Sequence, residues 1–359
     1  MANLNATDLA AVPVGGQVNE DVMDAIYDIS PEDRPFTDLT GSVDSDNQYK
    51  EWVREELATA NANNARIDGS DSTGNDTRVG ERLANYHQIM TKKVRVSDRA
   101  RESDTIGTSD ELDRQITKRQ KELRRDEEAA FTSRNAAVAG DGSAVAGKLA
   151  GIGSWIGTGQ GATNTSRGIT TGADPILSGS PGGFPQTAPV SGVIRALALS
   201  GITDMMRVAY ENGGNPTIGM SVPAVIDKLS KQLFASTGIA RIETQIAQTN
   251  KVNSATGNGV NVAGVSAQGS VTTYNTSFGT LSLVSNRFQP IYGSDHADFY
   301  MLDMDLWERA YLQGYMTKDL ARTGIAENRE ISLDVSLCSL NEEGNAVFAD
   351  IDFSVDATD

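Results

Sequence analysis

The sequence predicts an α+β protein whose sheets are assembled from segments far apart in the chain, and three observations predict it. A charged stretch, TSDELDRQITKRQKELRRDEEAAFTSRN, keeps helical character for about 25 residues. Two stretches in the middle, SGITDMMRVAYENGG and VPAVIDKLSKQLF, place apolar residues on one helical face. Three distant segments, VTTYNTSFGTLSLVSNRF, DFYMLD and REISLDVSLCSL, read as strands.

The first elements are YKEWVREEL (Tyr49 to Leu57) and YHQIMTKKVRVSD (Tyr86 to Asp98), rich in the aromatic and β-branched residues that strands favour. They read as the two legs of a long hairpin without clean alternation. Tyr49, Val53 and Leu57 share a face with Glu51 and Glu55, and Trp52 shares the other with Lys50, Arg54 and Glu56. Between the legs lies ATANANNARIDGSDSTGNDTRVGERLAN, Ala58 to Asn85, whose apolar residues besides alanine are Ile67, Val79 and Leu83. Ordering each residue costs about 1–2 kcal/mol of backbone entropy. Burying each of three aliphatic side chains returns only about 1.5–3 kcal/mol. The loop therefore needs contacts from another chain in order to be ordered.

The long helix opens on a capping box from Thr108 to Glu111. Its apolar stripe, Leu112, Ile116, Leu123, Ala130 and Phe131, is thin, which reads as an exposed brace across a sheet. The pairs Asp110/Arg114 and Lys118/Glu122 would support it. From Ala136 to Pro189 small residues dominate, with Trp155 and Phe184 as isolated anchors, and the stretch reads as extended loop. The next helix begins at a Ser200 cap, aligns Ile202, Met205, Met206, Ala209 and Tyr210, and stops at Gly213 and Gly214. Pro216 to Met220 reads as a strand. Ser221 then caps a helix that aligns Val222, Val225, Ile226, Leu229 and Leu233, with Pro223 tolerated in its first turn. DLWERAYL reads as a short helix, and the last long strand puts Ile331, Leu333, Val335 and Leu337 on one face. There is no internal repeat and no heptad series.

Catalytic motifs are nearly absent. GSAVAGKL, Gly142 to Leu149, resembles a phosphate-binding loop in spacing but ends in leucine where Ser or Thr must reach magnesium, and it follows a helix instead of a strand. GIGSWIG, from Gly151, has its third glycine one place too late for a dinucleotide fingerprint. His87, in the charged second leg, reads as a surface residue. His296, in SDHAD, offers a weak cation site at most. Cys338 reads as a small filler of the last strand, and a single cysteine excludes an internal disulfide framework and a cysteine-based zinc site. With 48 acids some carboxylate pair always exists, but no spacing singles one out. No catalytic, cofactor-binding or metal-ligating residue is assigned, and the expectation is a protein that is not an enzyme.

At 359 residues and 38% hydrophobic content the chain can bury a sizeable core. It holds no apolar run approaching the roughly 18 residues of a membrane span, and MANLNATDLAAVPVGG lacks the pattern of a signal peptide, which suggests the cytoplasm. A net charge of -17 argues against sequence-specific nucleic-acid binding. Residues 1 to 48 carry ten acids against one base, and residues 327 to 359 nine acids against one base. Residues 78 to 101 instead hold seven bases against two acids. Two readings of that basic leg stay open: a solvated face, or a surface that meets acidic arms between subunits.

The order of these elements resembles that of the major capsid proteins of tailed phages. The phrases RPFTDLTGSVDSDNQYKEW, NYHQIMTKKVRVSD, KRQKELRRDEEAAF, SFGTLSLVSNRF and LARTGIAENREISLDVSL carry the resemblance across nearly the whole chain. It implies the Hong Kong 97-like fold. Residues 1–45 would be an N-terminal arm and 46–98 an extended hairpin loop lying on a neighbouring subunit. Residues 99–189 would be a peripheral domain with a spine helix and Gly-rich loop, 190–325 an axial domain, and 326–359 a return strand with an acidic tail. The loop's ordering energy would then come from another subunit.

The function implied is a structural head protein that self-assembles into pentamers and hexamers around double-stranded DNA, residing in the virion and assembled in the host cytoplasm. Contacts between subunits are expected at Trp52, Arg54, Arg66, Arg78, Arg82, Lys92, Lys93 and Arg95. Expected partners are other copies, a portal, a decoration or cement protein, and a separate scaffolding protein, since a hairpin starting near residue 46 leaves no room for a fused scaffold. No cross-linking lysine–asparagine motif is matched. A rival reading is a flagellin-like or surface-layer-like cellular protein, but it lacks terminal heptads and a secretion signal.

Overall fold

The computed structural model describes residues 26–69, 79–103, 105–107, 109–157, 173–178, 183–237, 272–293 and 295–354. Its helices are α1 (Pro35–Leu39), α2 (Asp98–Glu102), α3 (Glu111–Phe131), α4 (Ile152–Trp155), α5 (Leu199–Glu211) and α6 (Pro223–Thr237). Its strands are β1 (Gly41–Asp44), β2 (Tyr49–Arg54), β3 (Glu81–Tyr86), β4 (Gln88–Ser97), β5 (Ile218–Ser221), β6 (Thr273–Thr276), β7 (Gly279–Ser285), β8 (His296–Leu302), β9 (Trp307–Leu320), β10 (Ala326–Ser339) and β11 (Ala346–Asp352). They form a five-stranded sheet β11-β8-β5-β7-β6, a four-stranded sheet β1-β9-β10-β4 and the two-stranded ribbon β2-β3. The expected α+β class with sheets built from distant segments is what the structure has.

The chain divides into two compact units. The larger comprises Asp33–Thr91, Glu122–Met316 and the residues from Ser332 onward. Its five-stranded sheet pairs β8 antiparallel to β11 and β5, β5 parallel to β7, and β6 antiparallel to β7. Every residue of β8 is buried, as a central strand covered on both faces requires. Ile202, Met205 and Met206 of α5 and Val225 and Leu229 of α6 share one core with Phe299, Met301 and Phe348. Gly213, at φ +84°, supplies the left-handed residue that ends α5, and its N–H donates to Tyr210 O.

The smaller unit takes the described residues up to Glu32, Lys92–Lys121 and Thr317–Ile331. Val94 and Val96 of β4 pack with Leu112 of α3, and Ala100 and Ile116 close around them. The Ser97 hydroxyl accepts from Ala100 N and so caps α2.

Several expectations need correction. The hairpin's second leg is β3, paired residue for residue with β2 from Tyr49↔Tyr86 to Arg54↔Glu81. Tyr86 to Asp98 instead supplies β4 of the four-stranded sheet, where Met90, Val94 and Val96 alternate inward. The stretch that cannot pack also ends sooner than Asn85, because Leu83, Ala84 and Asn85 are fully buried. DLWERAYL is not a helix: after one 3-10 turn (Met304–Leu306), Trp307 starts a 14-residue strand. Its short apolar pattern suits either period, and pairing with β1 and β10 decides.

Further local readings also change. Ser200 and Ser221 do not cap their helices. The N-cap of α5 is Ala198, and Ser221 ends β5 and donates its hydroxyl to Asp298 O. Tyr210 is 57% exposed. The small-residue stretch contains a tightly packed turn, since Ile152, Trp155 and Ile156 are fully buried. The acidic tail contains the buried strand β11. Thr108 of the expected capping box lies outside the described residues, and Arg114 pairs with Glu111 rather than Asp110, which binds Arg101 instead. The four inward residues of β10, Ile331 to Leu337, are fully buried as expected.

Candidate assembly surfaces

The hairpin arm is anchored at its base and unpacked beyond it. Trp52 of β2 packs against Trp155 in a tilted pair with ring centroids 5.5 Å apart and donates its indole N–H to Ser339 O at 2.8 Å. Tyr49, Tyr86 and Phe184 form an aromatic cluster beside it. Asn85 of β3 donates to Leu337 O and accepts from Ala150 N. Arg54 binds Glu81 at 2.8 Å and the buried Glu342 at 3.3 Å. Past this point Leu57, Ile67 and Val79 are 89%, 82% and 95% exposed.

The residues expected at subunit contacts fall into distinct groups. Trp52 and Arg54 are committed to their own chain at the arm's base. Arg82 is 55% exposed and lies 3.7 Å from Glu51, and Arg66 is exposed. Arg78 lies outside the described residues. Lys92 is half-buried, whereas Lys93 and Arg95 are exposed because Val94 and Val96 turn inward.

In the smaller unit Lys93, Arg95 and Arg119 line a concavity of about 450 Å³ that also touches Val94, Val96 and Ala100. Arg95 is steadied by donating to Thr323 O at 3.1 Å. Glu111 is the acid in that lining. Arg114 and Gln115 both donate to it, and their bonds hold its carboxyl down to about 2.

Two buried polar clusters escaped the sequence reading. The C-terminal half of α3 buries Glu127 and Glu128. Glu127 accepts from the hydroxyls of Tyr311 and Tyr315, whose pKa values rise through burial and the nearby carboxylate. Glu128 accepts from Phe36 N at 2.9 Å, Thr37 N at 2.8 Å, the Thr37 hydroxyl and Asn286 Nδ2 at 2.7 Å. It thereby takes up the free amides at the start of α1. Burial pushes its pKa up against those four bonds. A carboxylate on a charged helix gives no local signal that it points inward.

Arg134 is the centre of the second cluster. Its guanidinium binds Asp298 through Nε and Nη2 and Asp350 through Nη2, and it stacks 3.9 Å from the Tyr292 ring centroid. Asp350 sits at φ +57° in the bulge where β11 shifts register against β8. Ser191 Oγ accepts from Arg134 Nη1 at 2.7 Å and lies 3.4 Å from His296 Nε2, while His296 Nδ1 lies 3.1 Å from Asp295. The serine is thus tied to a buried ion network, and His296 is engaged by it. Among the described residues no group of three or more His, Cys, Asp or Glu is placed to hold a metal ion.

The remaining sequence candidates resolve physically. The Asp141 carboxylate accepts from the N–H groups of Ser143, Ala144 and Val145, each at 2.8 Å, so a negative charge already sits where a phosphate would. Gly151 and Gly153 allow close packing: a Cβ on Gly151 would lie 2.4 Å from Ser133 O. His87 is 6% exposed instead of lying on the surface. Burial holds its pKa below 6.5, with Asp334 pulling the other way. Cys338 fills β10 as expected, and burial pushes its thiol up to about 12.

Comparison with known proteins agrees with this architecture. The capsid of a native GTA particle superposes with a TM-score of 0.58 at 11% identity, covering 98% of this chain and 99% of that one. The capsid of Cyanophage A-1(L) gives 0.55 at 12% identity, covering 93% and 97%. These likenesses place the chain in the Hong Kong 97-like fold. A major capsid protein of Escherichia phage Phieco32 is 34% identical over 105 residues, which is 29% of this chain and 30% of that protein's length. The family model for the SU10 major capsid protein matches residues 3–352, and the chain belongs to that family.

Proposed function

We propose that this chain is the structural subunit of a tailed-phage head, assembling into pentamers and hexamers that close into an icosahedral shell around double-stranded DNA. The observation that carries this reading is an anchored arm with unpacked apolar residues, Leu57, Ile67 and Val79, in a member of a capsid family. Such residues gain burial only against other copies. The role is structural, without catalysis.

The arm begins at β2 and lies on a neighbouring subunit. Residues 1–45 form the N-terminal arm, 99–189 the peripheral domain and 190–325 the axial domain. Ala346–Asp352 joins the axial domain instead of an acidic tail, because it pairs with β8. Arg66, Arg78, Arg82, Lys92, Lys93 and Arg95 contribute to contacts between copies, while Trp52 and Arg54 hold the arm's base. A separate scaffold, a portal and a cement protein are the partners outside the shell lattice. The virion is the destination.

The test is analytical ultracentrifugation of the full chain against a variant with residues 58–78 replaced by a short Gly-Ser linker. The reading expects assembly in the first and soluble, folded, unassembled protein in the second. Equal assembly of both would overturn it.

A further inference from the structure

We propose that His87 is a proton-sensitive hinge pin: in its neutral form it packs the root of the arm against β10, and its protonation in mild acid loosens that root. His87 is the single residue between β3, which belongs to the two-stranded ribbon, and β4, which belongs to the four-stranded sheet. The other crossing between ribbon and sheet, from β1 to β2, ends at Gln48, and His87 N donates to Gln48 O at 3.0 Å. Both crossings are thus clipped together at this residue. Ser336 of β10 donates its hydroxyl to Tyr86 O at 3.0 Å, and a Cβ on Gly147 would lie 3.1 Å from His87 O. The backbone here is gripped from two sides.

The imidazole is 6% exposed, and neither of its ring nitrogens has a hydrogen-bond partner among the described residues. A buried ring in that state tolerates the neutral form far better than the charged one. The charged groups acting on it come from two neighbouring strands. Burial is the largest influence and keeps the ring neutral; Asp334 of β10 works against it, and Lys50 of β2 works with it. Asp334 is half-buried, and its Oδ1 also lacks a hydrogen-bond partner. No hydrogen bond joins the two side chains, so the carboxylate offsets the desolvation of an imidazolium only in part.

A histidine held neutral by burial contributes stability that is present above its ordinary value of about 6.5 and is lost as pH falls below it. Opening the root lets the ring take up a proton, so acid favours the opened form. With the packed ring neutral throughout, the opening constant rises about tenfold between pH 7.5 and 5.5, and the pull of Asp334 lowers that to about threefold or more. Burial pushes Asp334 above 3.8, and its own protonation favours the packed form, again against the histidine. Trp52, Trp155 and Asn85, which hold the ribbon nearby, carry no titrating group. A loosened root lets the arm change its angle while the sheet stays folded.

The experiment is hydrogen exchange with mass spectrometry on the unassembled full chain at pH 7.5 and 5.5, each rate divided by the intrinsic exchange rate at that pH. In the wild type, peptides covering 48–54 and 81–88 should lose about three- to tenfold of their protection in acid, while peptides from α5 should not. His87→Gln should remove that pH dependence whatever it does to protection at pH 7.5, and Asp334→Asn should enlarge it towards about tenfold. His87→Phe, which keeps a buried ring that cannot titrate, takes the place of His87→Gln where the latter does not fold. The chain has two histidines, so comparison with His87→Gln assigns the imidazole signals in an NMR titration, where His87 should titrate below 6.5. Equal protection at both pH values, a pH dependence that survives in the His87 variants, or an Asp334→Asn chain less sensitive than the wild type would overturn the proposal. So would a His87 signal that titrates at 6.5 or above.

Discussion

Replacing Arg134 by methionine keeps the aliphatic stem and removes a guanidinium on which two buried carboxylates depend. Nε and Nη2 lie 2.7 and 2.5 Å from the oxygens of Asp298, and Nη2 lies 2.8 Å from Asp350. Those acids are 0% and 2% exposed. Removing one partner of a buried ion pair costs about 3–5 kcal/mol, because the charge left behind is uncompensated. Two carboxylates lose the cation here, but Asp298 keeps Tyr300 Oη at 3.2 Å and Asp350 N at 3.1 Å, and Asp350 keeps Gly192 N at 2.8 Å. The expectation therefore stays at about 3–5 kcal/mol without doubling. With a urea m-value of about 3 kcal/mol/M, the midpoint falls by about 1–1.7 M at pH 7.5.

The sign of the pH dependence is fixed as well. In the wild type burial pushes Asp350 up, but the hydrogen bond from Arg134 brings it below 3.8 overall. Without the cation the bond from Gly192 N still opposes burial, but the Asp350 carboxyl rises, and the folded variant binds more protons in acid than the folded wild type does. The difference between variant and wild type should then narrow from pH 7.5 to about pH 4.5. Urea melts of unassembled protein at both values provide the measurement. A midpoint shift below about 0.3 M at pH 7.5, or a difference that widens in acid, would refute the reasoning.

Glu128→Ala leaves the buried donors of Phe36, Thr37 and Asn286 without their acceptor. Its expected cost is about 2–4 kcal/mol, and hydrogen exchange at the Phe36 and Thr37 amides should quicken by at least about tenfold; unchanged protection would contradict the clamp assigned to this carboxylate. Cys338, 2% exposed with its thiol pushed up to about 12, should resist a disulfide reagent at pH 8 in the native protein and react at the rate of unfolding. Rapid labelling of folded protein would show that β10 opens locally.

The parts of this fold legible in the sequence are those where one local signal acts alone. The long helix, the two amphipathic helices and β10 follow from periodicity over many residues. The arm was visible because its composition could not supply a core. The misreadings came where short patterns admit two answers, as in Trp307–Leu312, or where small residues permit close packing, as at Gly151–Trp155. The buried polar clusters were invisible for another reason. Glu128 and Arg134 are matched by partners 57 to 216 positions away, and no local pattern reports such a pairing. The basic stretch was half legible: the excess of bases from Arg78 to Arg101 was plain, but the inward turn of Val94 and Val96 that exposes Lys93 and Arg95 needed the sheet.

The most direct test of the central claim is negative-stain electron microscopy of the purified full-length chain over a range of concentrations, with limited proteolysis of the same samples. The account predicts closed icosahedral shells in which residues 58–69 are protected, and unassembled protein in which the same residues are cut readily. A compact monomer at every concentration, with that stretch already protected, would contradict it.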